Sequence, residues 1–113
     1  MNYFEAPNTT CSNGCNAWER EYKSIFLAGG ITKCVNWQKV ISEKLERYCV
    51  NVLNPRRDRY PMDDSLAMRQ QINWEYHMLK LADVIAFWFS NETEQPIALF
   101  ELGRWLGGAW RGL

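Results

Sequence analysis

The sequence has one histidine, no net charge and no long apolar run, and each shortage removes a class of function. Thirteen basic and thirteen acidic side chains cancel, so no broad positive surface is offered to a nucleic-acid polymer or to an anionic membrane. Any nucleotide the protein takes is then a small molecule held in a pocket. Residues 1–15 are polar and lack the basic-then-apolar order of a leader, and no stretch approaches membrane-spanning length. This reads as a soluble, cytoplasmic chain. His77 has no convincing serine or cysteine partner, and Ser24, Ser42, Ser65 and Ser90 have no glycine elbow around them, so a hydrolase triad is not indicated. Leu27-Ala28-Gly29-Gly30-Ile31-Thr32 is not GxGxxG and no GxxxxGK[ST] occurs, which sets aside dinucleotide and P-loop chemistry.

The four cysteines, Cys11, Cys15, Cys34 and Cys49, do not add up to a metal site. Cys11 and Cys15 can bring two thiolates together, but Cys34 is expected on a helix face and Cys49 at a strand entry, with a single histidine to join them. Free thiols in a reducing compartment are the better reading. No metal or cofactor is expected.

What is present is enough for one small domain, with six tryptophans to fill a modest core. Tyr3-Phe4-Glu5-Ala6-Pro7 is a short edge strand ended by proline, and residues 8–16, rich in Asn, Thr, Ser and Gly, form a loop. Ser24-Ile25-Phe26-Leu27-Ala28 is the first convincing strand, followed at once by Gly29-Gly30. Thr32 is placed to cap a helix whose apolar positions are Cys34, Trp37, Ile41, Leu45 and Tyr48. Val50-Asn51-Val52-Leu53 is the next strand, closed by Asn54-Pro55 and followed by the loop Arg56-Arg57-Asp58-Arg59-Tyr60-Pro61. A helix starting at Asp63, Asp64 or Ser65 runs to about Ala82 and leads into Val84-Ile85-Ala86-Phe87-Trp88-Phe89, an apolar run that reads as a strand buried on both faces. Pro96 suits the first position of a last helix.

This alternation predicts an α/β three-layer sandwich around a central parallel sheet. Residues 1–23 form an edge strand and loop, and residues 24–113 the α/β domain. In such sheets ligands bind at the carboxyl ends of the strands, so Gly29-Gly30, the arginine loop and residues 90–95 should converge on one cleft. The glycines either let a ligand approach the backbone, with the next helix N-terminus offering amides, or make a tight turn and nothing more.

Two glutamates fall on apolar helix faces. Glu101 follows Ile97 and Ala98 by one turn and precedes Trp105 by another, and Glu75 completes a stripe of Met68, Ile72, Leu79 and Ala82. A buried carboxylate is costly unless paired. Glu101 therefore either lies at the edge of its stripe, bridged to a surface arginine, or turns into the cleft, and the placement of both glutamates is either chance, since a helix dense in apolar residues leaves few positions off the stripe, or a shared site. Two carboxylates in one cleft suit chemistry on a glycosidic bond, one attacking the anomeric carbon and the other protonating the leaving group.

Four segments carry a resemblance: Ser24-Ile25-Phe26-Leu27-Ala28-Gly29-Gly30, Asn54-Pro55-Arg56, Trp74-Glu75 followed by Leu81-Ala82-Asp83-Val84-Ile85, and Phe100-Glu101-Leu102-Gly103. In order and spacing they resemble the nucleoside 2-deoxyribosyltransferase family, above all its "nucleoside 2-deoxyribosyltransferase-like" branch, over about residues 24–105. The resemblance implies a flavodoxin-like, Rossmann-like fold and a nucleophile at Glu101. It implies a second acid at Glu75, where the family usually has aspartate. Gly29, Gly30, Thr32, Arg56, Asp83 and Gln95 are the implied substrate-binding positions, although a structural capping role competes at Asp83. Phe26 stands where well-characterised members carry a tyrosine that hydrogen-bonds the nucleophile, and Gln95 stands where they carry a carboxylate. The chain stops at Leu113, soon after the nucleophile helix, whereas family members continue into further strands and complete a neighbouring subunit's site, so the last strands of the family fold are expected to be missing. The function implied is an N-glycosidic transferase or hydrolase acting on a small-molecule (deoxy)nucleoside or its monophosphate, as a homo-oligomer. The alternative is a catalytically inactive nucleotide-binding module of the same fold.

Overall fold

The computed structural model describes residues 1–19, 21–31, 35–57 and 64–88. Strand β1 (Asn2–Glu5) is followed by β2 (Lys23–Gly29), helix α1 (Trp37–Leu45), β3 (Val50–Asn54), helix α2 (Ser65–Leu81) and β4 (Val84–Trp88). The strands form one sheet in the order β1-β3-β2-β4, and every pairing is parallel. From β2 the chain passes to β3 on one side, then crosses back to β4 on the other. The order thus reverses between β2 and β4, and in sheets of this kind the carboxyl ends at such a reversal are where ligands bind.

Alternation along each strand supplies two faces. Phe4, Phe26, Ala28 and Leu53 point to one side and pack with Trp74, Met78 and Leu79 of α2, with Ile85 and Phe87 joining them. Leu27 and Val52 point to the other and pack with Trp37 of α1, with Tyr3, Ile25, Leu45 and Ala86 alongside. Helix, sheet and helix make the three layers of a flavodoxin-like α/β fold. β1 belongs to the same sheet, with Phe4 opposite Leu53, and the loop after it lays Cys11 and Ala17 onto the α2 face.

Helix α2 begins where the sequence indicates. Asp64 caps it, its carboxylate accepting from Leu66 N–H at 2.9 Å and Ala67 N–H at 3.3 Å. Its buried face differs from the expected stripe. Ala67, Trp74, Met78 and Leu79 are buried, while Met68 and Ile72 are 57% and 60% exposed. A helix this rich in apolar residues can be rotated in more than one way. The rotation adopted buries the large Trp74 ring against Phe26 at 6.1 Å between centroids and gives its indole N–H a partner in the Asn8 carbonyl at 2.8 Å.

Helix α1 departs further. It starts at Trp37, with Asn36 as its cap through a bond from Lys39 N–H at 3.2 Å, whereas Thr32, the expected cap, lies outside the described residues. The buried positions are Trp37, Gln38 and Ser42, and Ile41 and Tyr48 lie on the surface. A glutamine can occupy the core here because both ends of its amide are bonded. Strand β4 is less buried than its apolar run suggests. Val84 is 54% exposed, because among the described residues β4 has a neighbour, β2, on one edge alone.

Candidate functional site

The carboxyl ends of β2 and β3 are tied together by one buried side chain. Gln38, fully buried, donates from Nε2 to the Gly30 carbonyl at 3.4 Å and accepts on Oε1 from the Arg56 guanidinium at 3.3 Å. Trp37 Nε1 donates to the same Gly30 carbonyl at 3.0 Å. Arg56 Nη1 also donates to the Val35 carbonyl at 2.8 Å, and Arg56 N–H to Asn54 Oδ1 at 2.9 Å. The relay continues from Asn54 Nδ2 to the Tyr3 hydroxyl at 2.8 Å and from that hydroxyl to Glu5 Oε1 at 2.8 Å. Gly30 and Arg56 are thus brought together as expected. Of the residues that fix them, Trp37, Asn54 and Tyr3 read in the sequence only as helix, motif and strand positions, and Gln38 is not singled out by the sequence. A glutamine beside an apolar helix position gives no signal of burial until its partners are known.

Gly29 ends β2 opposite Trp88, the last residue of β4. Its φ of 140° is one that L side chains rarely adopt. A Cβ there would fall on the Trp88 carbonyl and 2.9 Å from Trp37 Cζ2. Two tryptophan rings, Trp37 and Trp88, meet edge to face at 5.4 Å beside it. The first glycine of the pair is therefore required by strand and ring packing, whatever approaches it from outside.

Glu75 lies on α2, half-buried beside Trp74. It accepts from Gln71 Nε2 at 3.3 Å. The same amide donates to the Pro55 carbonyl at 2.8 Å, and its Oε1 accepts from Arg57 Nε at 2.7 Å. Glu75 is linked in this way, through Gln71, to the segment that leaves β3. It flanks the buried face of α2 rather than completing it.

Asp83 lies at the other end of the sheet. Its carboxylate accepts from Ser24 N–H at 2.8 Å and its own N–H donates to the Ser24 carbonyl at 2.9 Å, where β2 and β4 begin. Of the two roles open to Asp83, this geometry is that of a structural cap. Phe26 is fully buried against Trp74 and brings no hydroxyl to this face. Glu101, Gln95 and Thr32 lie outside the described residues, as does the segment 90–95.

A groove of about 370 Å³ opens between β1 and α1, with Tyr3, Glu5, Asn54 and Arg56 on one wall and Lys39 and Glu43 on the other. Arg56 connects it to the strand ends. Glu75 is not among its walls, since α2 covers the opposite face of the sheet. The groove therefore does not lie at the β2/β4 reversal, where the topology of such sheets puts a ligand. Among the described residues no group of His, Cys, Asp and Glu is arranged to hold a metal ion, and no helix is long and apolar enough to cross a membrane.

A parallel α/β sheet with helices on both faces and a strand reversal between β2 and β4 defines a doubly wound class of architecture rather than one activity. The particular family follows from comparison with known proteins: the family described as "Nucleoside 2-deoxyribosyltransferase like" matches residues 22–109, and the chain belongs to it. None of the curated proteins compared matches the chain.

Proposed function

We propose that the protein breaks the N-glycosidic bond of a (deoxy)nucleoside or its monophosphate through a glutamate nucleophile. The observation that carries this reading is the family match, whose span includes both Glu75 and Glu101. Glu101 attacks C1′ of the sugar and the base departs, with Glu75 sharing a proton with it directly or through water. A second base then takes the sugar from the glycosyl-enzyme, or water hydrolyses it. Gly29, Gly30 and Thr32 hold the sugar end, Gln95 hydrogen-bonds a hydroxyl, and Arg56 faces a 5′-phosphate where the substrate has one. The reading is supported by the link from Gly30 through Gln38 to Arg56, which sets two of these positions in one frame.

The test is release of free base from a deoxynucleoside or its monophosphate by the wild-type protein and by Glu101→Ala. Loss of release in the variant, with its fold retained, supports the proposal; an unchanged rate overturns it. A nucleotide-binding module that has lost the chemistry is the second reading. It is favoured by Phe26, whose buried ring offers no hydroxyl for a nucleophile. That module would bind a nucleoside monophosphate without ever releasing base.

A further inference from the structure

The loop between β1 and β2 turns back on itself. Thr10 and Asn16 form an antiparallel bridge, flanked by Ala17 N–H donating to the Thr9 carbonyl at 2.8 Å and Cys11 N–H donating to the Cys15 carbonyl at 2.9 Å. Gly14, at φ 84°, permits the return, and its N–H donates to the Cys11 carbonyl at 3.0 Å. The Cys11 carbonyl is taken by Gly14, so the bond from Cys11 N–H to Cys15 is not returned, and Gly14 and Cys15 together stand opposite Cys11 as a glycine bulge that closes the hairpin. The single bond of 2.9 Å holds the Cys11 and Cys15 backbones side by side across the mouth of the turn, and neighbouring backbones are what the short Cα separation of a disulfide requires. Both are free thiols, Cys11 buried in the core and Cys15 half-buried. Partial burial and the adjacent Cys11 thiol push the Cys15 pKa up.

We propose that Cys11 and Cys15 form a dithiol that hydrogen peroxide closes to an intramolecular disulfide. Cys15, the more accessible of the two, attacks the peroxide as its thiolate, forming sulfenic acid and releasing hydroxide, which takes up the thiol proton as water. The Cys11 sulfur then attacks the Cys15 sulfur, the S–S bond forms, and the hydroxyl leaves with the Cys11 proton as a second water. One peroxide is reduced and two thiols are oxidised. The bond pins the loop that supplies Asn8 to Trp74 and Ala17 to the core. The inference stands apart from the glycosidic reading, since the pair lies in the β1–β2 loop and uses none of the residues assigned to the reaction.

The experiment exposes the reduced full chain to hydrogen peroxide, then denatures and alkylates it. In Cys34→Ser/Cys49→Ser, both remaining thiols should lose alkylation together, with a mass lower by two hydrogens, no covalent dimer, and full recovery on reduction. Wild-type protein gives the same readout independently of that variant's folding, because Cys11 and Cys15 share the tryptic peptide ending at Arg20. That peptide should appear unalkylated and internally crosslinked. Stable sulfenic or sulfinic acid on Cys15 with Cys11 still alkylated, disulfide-linked dimers through either residue, or two unreacted thiols would each overturn the proposal.

Discussion

Asp83 and Ser24 clasp each other in both directions, carboxylate to N–H at 2.8 Å and N–H to carbonyl at 2.9 Å. The clasp fixes the start of β4 against the start of β2 and so sets the register that brings Gly29 level with Trp88 at the far end. Asp83→Ala removes the acceptor of the Ser24 amide, the second of β2. The expected cost is about 1.5 kcal/mol, the lower end for a hydrogen bond to a charged group, because Asp83 is solvent-exposed. Urea unfolding measures it. Base release per folded molecule should stay unchanged, and a raised KM without loss of stability would assign Asp83 to the substrate instead.

Gly29→Ala should destabilise the protein by more than about 1 kcal/mol, since the native φ is unfavourable for alanine and the added methyl meets the Trp88 carbonyl and the Trp37 ring. Gly30→Ala offers the comparison. Equal unfolding midpoints for the two variants would show that strand and ring packing do not single out the first glycine.

Period and punctuation made most of the architecture legible. Four strands and the α2 boundaries follow from short apolar runs closed by Gly-Gly or Asn-Pro and from Asp64 ahead of Ser65. Helix rotation was less legible. In α2 the expected stripe of Met68 and Ile72 competes with one centred on Trp74, and the choice depends on Asn8, far away in the chain. In α1 the buried residue between two strand ends is Gln38, whose partners, Gly30 and Arg56, come from other elements. Long-range polar satisfaction leaves no periodic trace, so the link between the glycine turn and the arginine loop could be expected only as convergence, without the side chain that makes it.

Gln38→Leu tests that link. The variant keeps the helix and approximately the volume but removes a donor to Gly30 and an acceptor from Arg56, leaving buried polar groups with fewer partners. A loss of about 1–3 kcal/mol is expected. If the strand ends carry the substrate, KM for a nucleoside monophosphate should rise as well. A stable variant with unchanged KM would show that the relay organises nothing.

Glu75→Gln keeps the length and the bond from Gln71 but cannot share a proton with a departing base. Positioned acid assistance is typically worth about 10²–10⁴-fold, and base release should fall within that range while the unfolding midpoint stays close to wild type. A nucleoside with a better leaving base should recover part of the rate, because it needs less protonation. An equal loss for both substrates would argue that Glu75 acts on binding alone.

The reduced Cys15 thiol gives stability a pH dependence of known sign. Partial burial, the Cys11 thiol, and the charges of Glu19 and Glu21 all hold its proton on, so its folded pKa is above the unfolded one. Below the ordinary thiol range both states are protonated and there is no effect. As pH rises from there through the raised value, the native state binds more protons than the unfolded chain and stability falls. Tyr22, pushed up first by Cys49 and then by Glu21, adds a loss of the same sign at higher pH. Urea midpoints under reducing conditions, taken between about pH 7 and pH 10, should decline for the wild-type chain and decline less for Cys15→Ser. An identical slope in the variant would exclude the Cys15 thiol as a source.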